Sequence, residues 1–293
     1  MQRLYGNCKL ERILPEIEHS GLTHIGFARE DNQDAIQLPD RARTAERGAL
    51  YAVADGMGGY AHGRLASTLA LEQLSEVFYT ARAESVPRAL SRGIKSANLR
   101  VFKMAQRLGA GRMGTTLTAA SVIGSTLYLA HVGDSRAYLI RDQRAICLTD
   151  DHTTVGELVR MKVLPPEQVR THAQRSILTR GVGLTLFVKP DISRHALREG
   201  DRIILCSDGV WSVVQDHEFA QLAALTTGAH ALSQSLIDLA LERQTDDNAS
   251  AITVYIQHLS PSSAENGVAR KRWAWLREWL SRRQTFFAVA ATP

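Results

Sequence analysis

The sequence predicts an α+β chain folded as a four-layer α/β/β/α sandwich, two central antiparallel β-sheets flanked by helices. Three observations predict it: one-faced helical periodicity brackets the middle of the chain, short apolar runs broken by turn pairs fill that middle, and the runs are apolar on both faces. The first helix is expected from Leu65 to Phe78, with Ala66, Leu69, Ala70, Leu74 and Val77 on one side. In the second, Leu90, Ile94, Ala97, Val101, Met104 and Leu108 recur at alternating four- and three-residue spacing, which collects all six on one face. A third covers Leu232, Leu236 and Leu239.

Between them, "TTLTAASVIGSTLYLAHVGDSRAYLIRDQRAICLT" is cut at Gly124-Ser125, Asp134-Ser135 and Asp142-Gln143. Two-residue breaks suit hairpins, so these strands are expected to be antiparallel neighbours in one meander. Tyr128, Leu129, Ala130 and Val132 offer apolar groups to both sides, so both faces are expected to be covered. A second sheet built from "ALYAVAD", "DRIILCSD" and "SAITVYIQ" would supply one cover and helices the other.

The chain of 293 residues is 44% hydrophobic, ample for a real core. An N-terminal extension over residues 1–19, a domain over 20–258 and a tail over 259–293 are expected, with "SPSSAENG" as a polar linker. No run reaches the ~20 apolar residues of a membrane span and the N-terminus lacks a signal-peptide core, so a cytoplasmic location is expected. Cys8, Cys147 and Cys206 have neither zinc-site spacing nor an Arg six positions on, which excludes a structural metal knot and a cysteine-nucleophile phosphatase. The net charge is +5, and Arg270 to Arg283 hold six basic residues against Glu278, so the body is near neutral and no nucleic-acid partner is expected.

An aspartate opens or closes an apolar strand five times: Asp34 in "EDNQDAI", Asp55 in "VADGMGG", Asp134 in "HVGDSR", Asp208 in "LCSDGVW" and Asp247 in "TDDNASAI". One such residue is an ordinary turn former, but five carboxylates gathered at one end of a sandwich would repel one another without a cation. Oxygen-only donors favour Mg²⁺ or Mn²⁺, and the Gly56 carbonyl has no side chain to keep it from such an ion. A pair of ions of this kind suits water-activated hydrolysis at phosphorus or carbonyl carbon. Arg29, five residues before Asp34, offers a planar fork for two phosphate oxygens.

In order, "AREDNQDA", "VADGMGGYAHGRLAS", "MGTTLTAA", "LAHVGDSRAYLIR", "LTDDHT", "ILTRGVG", "DRIILCSDGVW" and "TDDNASAITV" resemble the bacterial branch of the type 2C metal-dependent serine/threonine protein phosphatases over residues 20–256. The resemblance implies hydrolysis of phosphoserine and phosphothreonine at a dinuclear Mn²⁺ or Mg²⁺ centre. It implies phosphate binding by Arg29, metal or water binding by Asp34, Asp55, Asp208 and Asp247 with the Gly56 carbonyl, and a weaker third ion at Asp134 with Asp208. Its implied partners are phosphorylated proteins and an opposing Ser/Thr kinase, and a monomer is expected.

The sequence departs from the family pattern in places. Tyr60 replaces the usual His and Arg64 the usual Glu, which leaves His62 as the candidate leaving-group acid. Ser212 stands where some members carry a further Asp, and Gly181 replaces Ala, which is expected to loosen the segment after a flap-like stretch at residues 151–175. A pseudophosphatase that binds phosphoproteins without turnover is the alternative. In the tail, Trp273, Trp275, Leu276, Trp279 and Leu280 share one half of a helical wheel. Docking at an anionic membrane surface, docking on a partner and packing back on the body all stay open, with the last favoured.

Overall fold

Apolar residues that alternate along the strands divide the interior into three layers of contact, and the elements follow from that division. The computed structural model describes residues 15–259 except Gly59, Tyr60 and Arg82. The linker and aromatic tail, Tyr60, and the first fourteen residues of the expected N-terminal extension lie outside the described residues.

The chain runs β1 (Glu16–His24), β2 (Asp34–Gln37), α1 (Arg41–Arg47), β3 (Ala49–Met57), α2 (Ala61–Thr80), α3 (Val86–Leu108), β4 (Gly114–Thr115), β5 (Leu117–Ile123), β6 (Thr126–Val132), β7 (Arg136–Arg141) and β8 (Arg144–Cys147). It continues through α4 (Thr154–Arg160), β9 (Asp191–Ala196), β10 (Arg202–Cys206), α5 (Asp208–Trp211), α6 (Asp216–Leu225), α7 (Ala229–Glu242) and β11 (Ala249–His258). β1 begins at Glu16, ahead of the boundary expected at residue 20, and pairs antiparallel with β11 along its whole length.

One sheet has the order β1-β11-β10-β7-β8 and the other β2-β3-β5-β6-β9, with β4 paired to β3. Between the sheets, Tyr51, Val53, Ala120 and Leu129 of one meet Leu139, Ile203, Leu205 and Ile252 of the other. On the far face of the second sheet, Leu50, Leu117 and Val132 pack under α2 and α3 with Leu74, Leu90 and Ile94. On the far face of the first, Tyr138, Ile204 and Ala251 pack under α6 and α7 with Phe219, Leu232 and Leu236. The four layers are therefore those the sequence predicts.

The predicted helix faces hold with one exception. Leu90, Ile94, Ala97 and Val101 are fully buried and Met104, partly buried, packs against the core, whereas Leu108, the last residue of α3, is 49% exposed. Ser85 and Pro87 start that helix and Gly109 closes it.

Two strand assignments differ from the expectation. Gly124-Ser125 and Asp142-Gln143 are true two-residue hairpins, with Ile123 opposite Thr126 and Arg141 opposite Arg144. Asp142 and Gln143 both have positive φ, 50° and 58°, the geometry of a tight primed turn. The break at Asp134-Ser135 is instead a crossing between sheets, because β6 and β7 belong to different ones. Gly133 carries that crossing at φ 113°, where a Cβ would lie 2.6 Å from Thr116. "ALYAVAD" accordingly pairs with β5 in the sheet that was expected to oppose it.

Leu74 is fully buried where α2 meets α3, facing Gly93, so Leu74→Ala opens a cavity between them. A loss of about 2–5 kcal/mol in unfolding free energy is expected by urea titration.

Candidate metal-dependent active site

Strand register carries the carboxylates to one end of the sandwich. Asp34 opens β2 directly opposite Asp55 of β3, while Asp208 follows β10 and Asp247 precedes β11 in the other sheet. Asp134 joins them from the crossing between β6 and β7. Both sheets thus contribute, and the sequence-predicted aspartates come together as one cluster.

Each is set by neighbours that satisfy part of it. Asp34 Oδ2 accepts hydrogen bonds from Ser207 Oγ at 2.7 Å and Ser250 Oγ at 2.6 Å, and its Oδ1 is buried without a partner. The Asp55 backbone N–H donates to Thr116 Oγ1 at 2.9 Å, and its carbonyl accepts from Thr115 Oγ1 and the Thr116 N–H at 2.8 Å each. Asp208 Oδ1 is likewise buried and unpartnered. The Asp134 carbonyl accepts from Trp211 Nε1 at 2.8 Å, leaving its carboxylate free of that restraint.

Burial, and then crowding, raises the pKa values of these acids. Burial, joined by the charges of Asp208 and Asp247, lifts Asp34 to about 8 despite its two serine hydroxyls. Burial and Asp247 lift Asp208 to about 6. Asp55 is held well above the carboxylate range by burial and by Asp34, Asp208, Asp247 and Asp134, and Asp134 by burial, Asp208 and Asp151.

These residues fit a hard divalent cation. Two buried carboxylate oxygens lack partners, the donor set is all oxygen, and the like charges repel until a cation joins them. Among the described residues no three His, Cys, Asp or Glu side chains stand together as placed in a group that could hold an ion, so the fit rests on those features. Gly56 lies where only glycine fits: a Cβ there would sit 2.1 Å from the Gly63 carbonyl oxygen and 2.6 Å from that of Gln33.

Arg29 stands at the rim, half exposed, with its guanidinium 2.6 Å from Asp247 Oδ2. Its loop is clamped from the β11 side by Asn248, whose Oδ1 accepts from the Gln33 N–H at 2.8 Å and whose Nδ2 donates to the Ile25 and Asp31 carbonyls at 2.8 and 3.0 Å. From the α2 side, Arg64 Nε bonds Asp31 at 3.2 Å and Ser67 Oγ bonds the Gln33 carbonyl at 2.7 Å. Arg64 is therefore part of the loop's anchorage. His62 is half-buried on the first turn of α2, one residue before the Gly63 that abuts Gly56.

Ser212 caps α5, its N–H bonding the Asp208 carbonyl at 2.9 Å. Gly181 does not loosen its segment as expected. It is buried against Leu184, and Val182 beside it exchanges two backbone bonds with Thr115, at 2.8 and 2.9 Å. Sequence reasoning also missed Asn248, Ser207, Ser250, Thr116 and Trp211. For Ser207, Asn248 and Ser250 the signal was a small polar group close to an aspartate, which reads equally well as turn chemistry, whereas Thr116 and Trp211 stand apart from the aspartates they support and left no such signal.

A family model for protein phosphatase 2C matches residues 19–249. The protein phosphatase PhpP of Streptococcus pneumoniae is 29% identical over 253 residues, covering 85% of this chain and 100% of that protein. The serine/threonine protein phosphatase PstP of Mycobacterium tuberculosis is 32% identical over 247 residues, 83% of this chain, which spans 46% of that longer protein. A crystal structure of the PstP catalytic domain with two manganese ions superposes with a TM-score of 0.71 at 29% identity, covering 82% of this chain and 98% of that one. With the match extending over most of the chain, its fold and its carboxylate cluster alike, this chain belongs to the protein phosphatase 2C family.

Proposed function

We propose that the carboxylate cluster is the catalytic centre of a metal-dependent serine/threonine protein phosphatase, with Asp34, Asp55, Asp208, Asp247 and the Gly56 carbonyl as the groups that hold two Mn²⁺ or Mg²⁺ ions. The observation that carries this reading is the convergence of acids from both sheets with two orphaned buried oxygens among them. Asp134, which feels the Asp208 charge, is the group for a weaker third ion. The chemistry supplied when the ions are bound is Lewis-acid activation of water and of phosphoryl oxygens.

The chain's own residues do the rest. Arg29 meets the phosphate with its planar fork, exchanging its bond to Asp247 for phosphoryl oxygens as the substrate enters. Asn248, Arg64 and Ser67 hold its loop so that little ordering remains to be done on binding. His62, on the first turn of α2, is the proton donor to the departing serine or threonine oxygen. The substrates are phosphoproteins, and a Ser/Thr kinase that makes them is the natural counterpart. The four acids assigned to the two core ions, Asp34, Asp55, Asp208 and Asp247, are all present and the relatives are phosphatases by name, so the pseudophosphatase alternative has no support.

Hydrolysis of p-nitrophenyl phosphate and of a phosphothreonine peptide is expected to require added Mn²⁺ or Mg²⁺, to stop in EDTA, and to vanish in Asp208→Asn with the fold retained by circular dichroism. A folded wild-type protein inert with both metals and both substrates would contradict the proposal. Arg29→Ala is expected to lower kcat/KM for the peptide about 10- to 100-fold, the worth of a charge-assisted bond, chiefly through KM.

The acids also set a pH dependence. In the metal-free protein, a folded-state pKa of about 8 for Asp34 against 3.8 unfolded means the native state binds more protons between those values. Its ionisation therefore costs stability as pH rises through that window. In EDTA, Asp34→Asn is expected to gain stability relative to wild type from pH 5 to pH 8 in urea titrations. A constant difference would contradict the repulsion, and saturating Mn²⁺ at pH 8 is expected to reverse it in favour of wild type.

A further inference from the structure

After β8 the chain sets two side chains, Asp151 and His152, into the protein before α4 begins, and they are 8% and 0% exposed. His152 satisfies both backbone groups of Gly133: its N–H donates to the Gly133 carbonyl at 2.7 Å, and its Nδ1 accepts from the Gly133 N–H at 3.1 Å. An accepting Nδ1 puts the ring hydrogen on Nε2, which donates to Asp191 Oδ2 at 3.0 Å. The other Asp191 oxygen accepts from Arg180 at 2.7 Å. The His152 carbonyl accepts from the Thr179 N–H at 2.8 Å, so the outgoing and returning limbs of the flap-like excursion meet at this residue.

Asp151 works on the other side. It takes both Arg136 Nε and Nη2, at 2.9 and 2.7 Å, and the Arg136 guanidinium lies 3.6 Å over the Trp211 ring whose Nε1 bonds the Asp134 carbonyl. The backbone before and after Asp134 is thus fixed by neighbouring residues of one dipeptide, and neither set of bonds consumes the Asp134 carboxylate.

We propose that His152 is a positioning residue for Asp134: its Nδ1 holds the Val132–Gly133 peptide and its backbone N–H the Gly133–Asp134 peptide, the two together setting the turn that directs the Asp134 carboxylate toward Asp208, and its Nε2 ties that setting to the flap through Asp191. This rests on the reading of Asp134 as a cation-holding group. What the role requires is an acceptor at the Nδ1 position, not a ring of the right size. Asparagine places its oxygen there, whereas glutamine places its polar end where Nε2 lies.

The test is calorimetric titration of Mn²⁺ into the EDTA-stripped full chain, as wild type, Asp134→Asn, His152→Asn and His152→Gln, each checked by thermal melting. The expected result is a weakest binding step that disappears in Asp134→Asn, weakens about 10-fold or more in His152→Gln, and persists in His152→Asn, with the tighter steps unmoved. A wild-type isotherm for His152→Gln overturns the proposal. So does equal loss in both histidine variants, which would make the residue a packing element, or an Asp134→Asn isotherm identical to wild type. If the histidine variants fail to fold, Asp191→Ala, at a half-exposed position, removes the acceptor that keeps the ring hydrogen on Nε2 and leaves Nδ1 free to accept, a need asparagine does not have, so it is expected to weaken the same step, and an unchanged isotherm overturns the tie. Turnover of the phosphothreonine peptide by wild type in the same Mn²⁺ series separates the two failures. Absent turnover sinks the catalytic reading, and intact turnover with an unmoved His152→Gln isotherm sinks only the positioning role.

Discussion

The cost of burying carboxylates, made larger by their mutual repulsion, is the constraint on which the rest of this structure depends. A fold gains nothing by gathering Asp34, Asp55, Asp134 and Asp208 where water cannot screen them, and the raised pKa values of all four record that cost. The arrangement becomes favourable only when positive charge enters it. Stability surrendered at the site is what gives the protein its affinity for divalent ions, and the hydrophobic layers on either side supply the margin that permits it.

The sandwich is suited to this because the strands that hold the acids end together while belonging to different sheets. Opposed register fixes Asp34 against Asp55, and the inter-sheet core fixes both against Asp208 and Asp247. Small hydroxyls from Ser207, Ser250 and Thr116 then set rotamers and peptide planes without adding charge. Arg29, the residue proposed to meet the phosphate, is carried on a loop, but Asn248 makes that loop nearly as fixed as a strand by taking up three of its backbone groups.

Layers, helix faces and the acid cluster were legible in the sequence because each is a periodic or repeated signal. Leu90, Ile94, Ala97 and Val101 announce a buried face by spacing alone, and the five strand-end aspartates announce a site by recurrence. The sheet-to-sheet crossing at Gly133-Asp134-Ser135 was not legible, since a two-residue break reads the same whether the chain folds back or crosses over. What decides it is a positive φ at Gly133, which glycine permits but does not dictate, and the polar contacts of Thr116 and His152, which are tertiary. The supporting residues were hidden for the same reason: Asn248 and Trp211 acquire their roles only from groups more than seventy positions away in the chain.

The most direct test of the account is a crystal structure grown with Mn²⁺ and read by anomalous scattering at the manganese edge. The account predicts two strong peaks within bonding distance of the cluster, flanked by the Asp55 and Asp208 carboxylates and reached by the Gly56 carbonyl. Manganese bound elsewhere, with the cluster empty at saturating Mn²⁺, would contradict it.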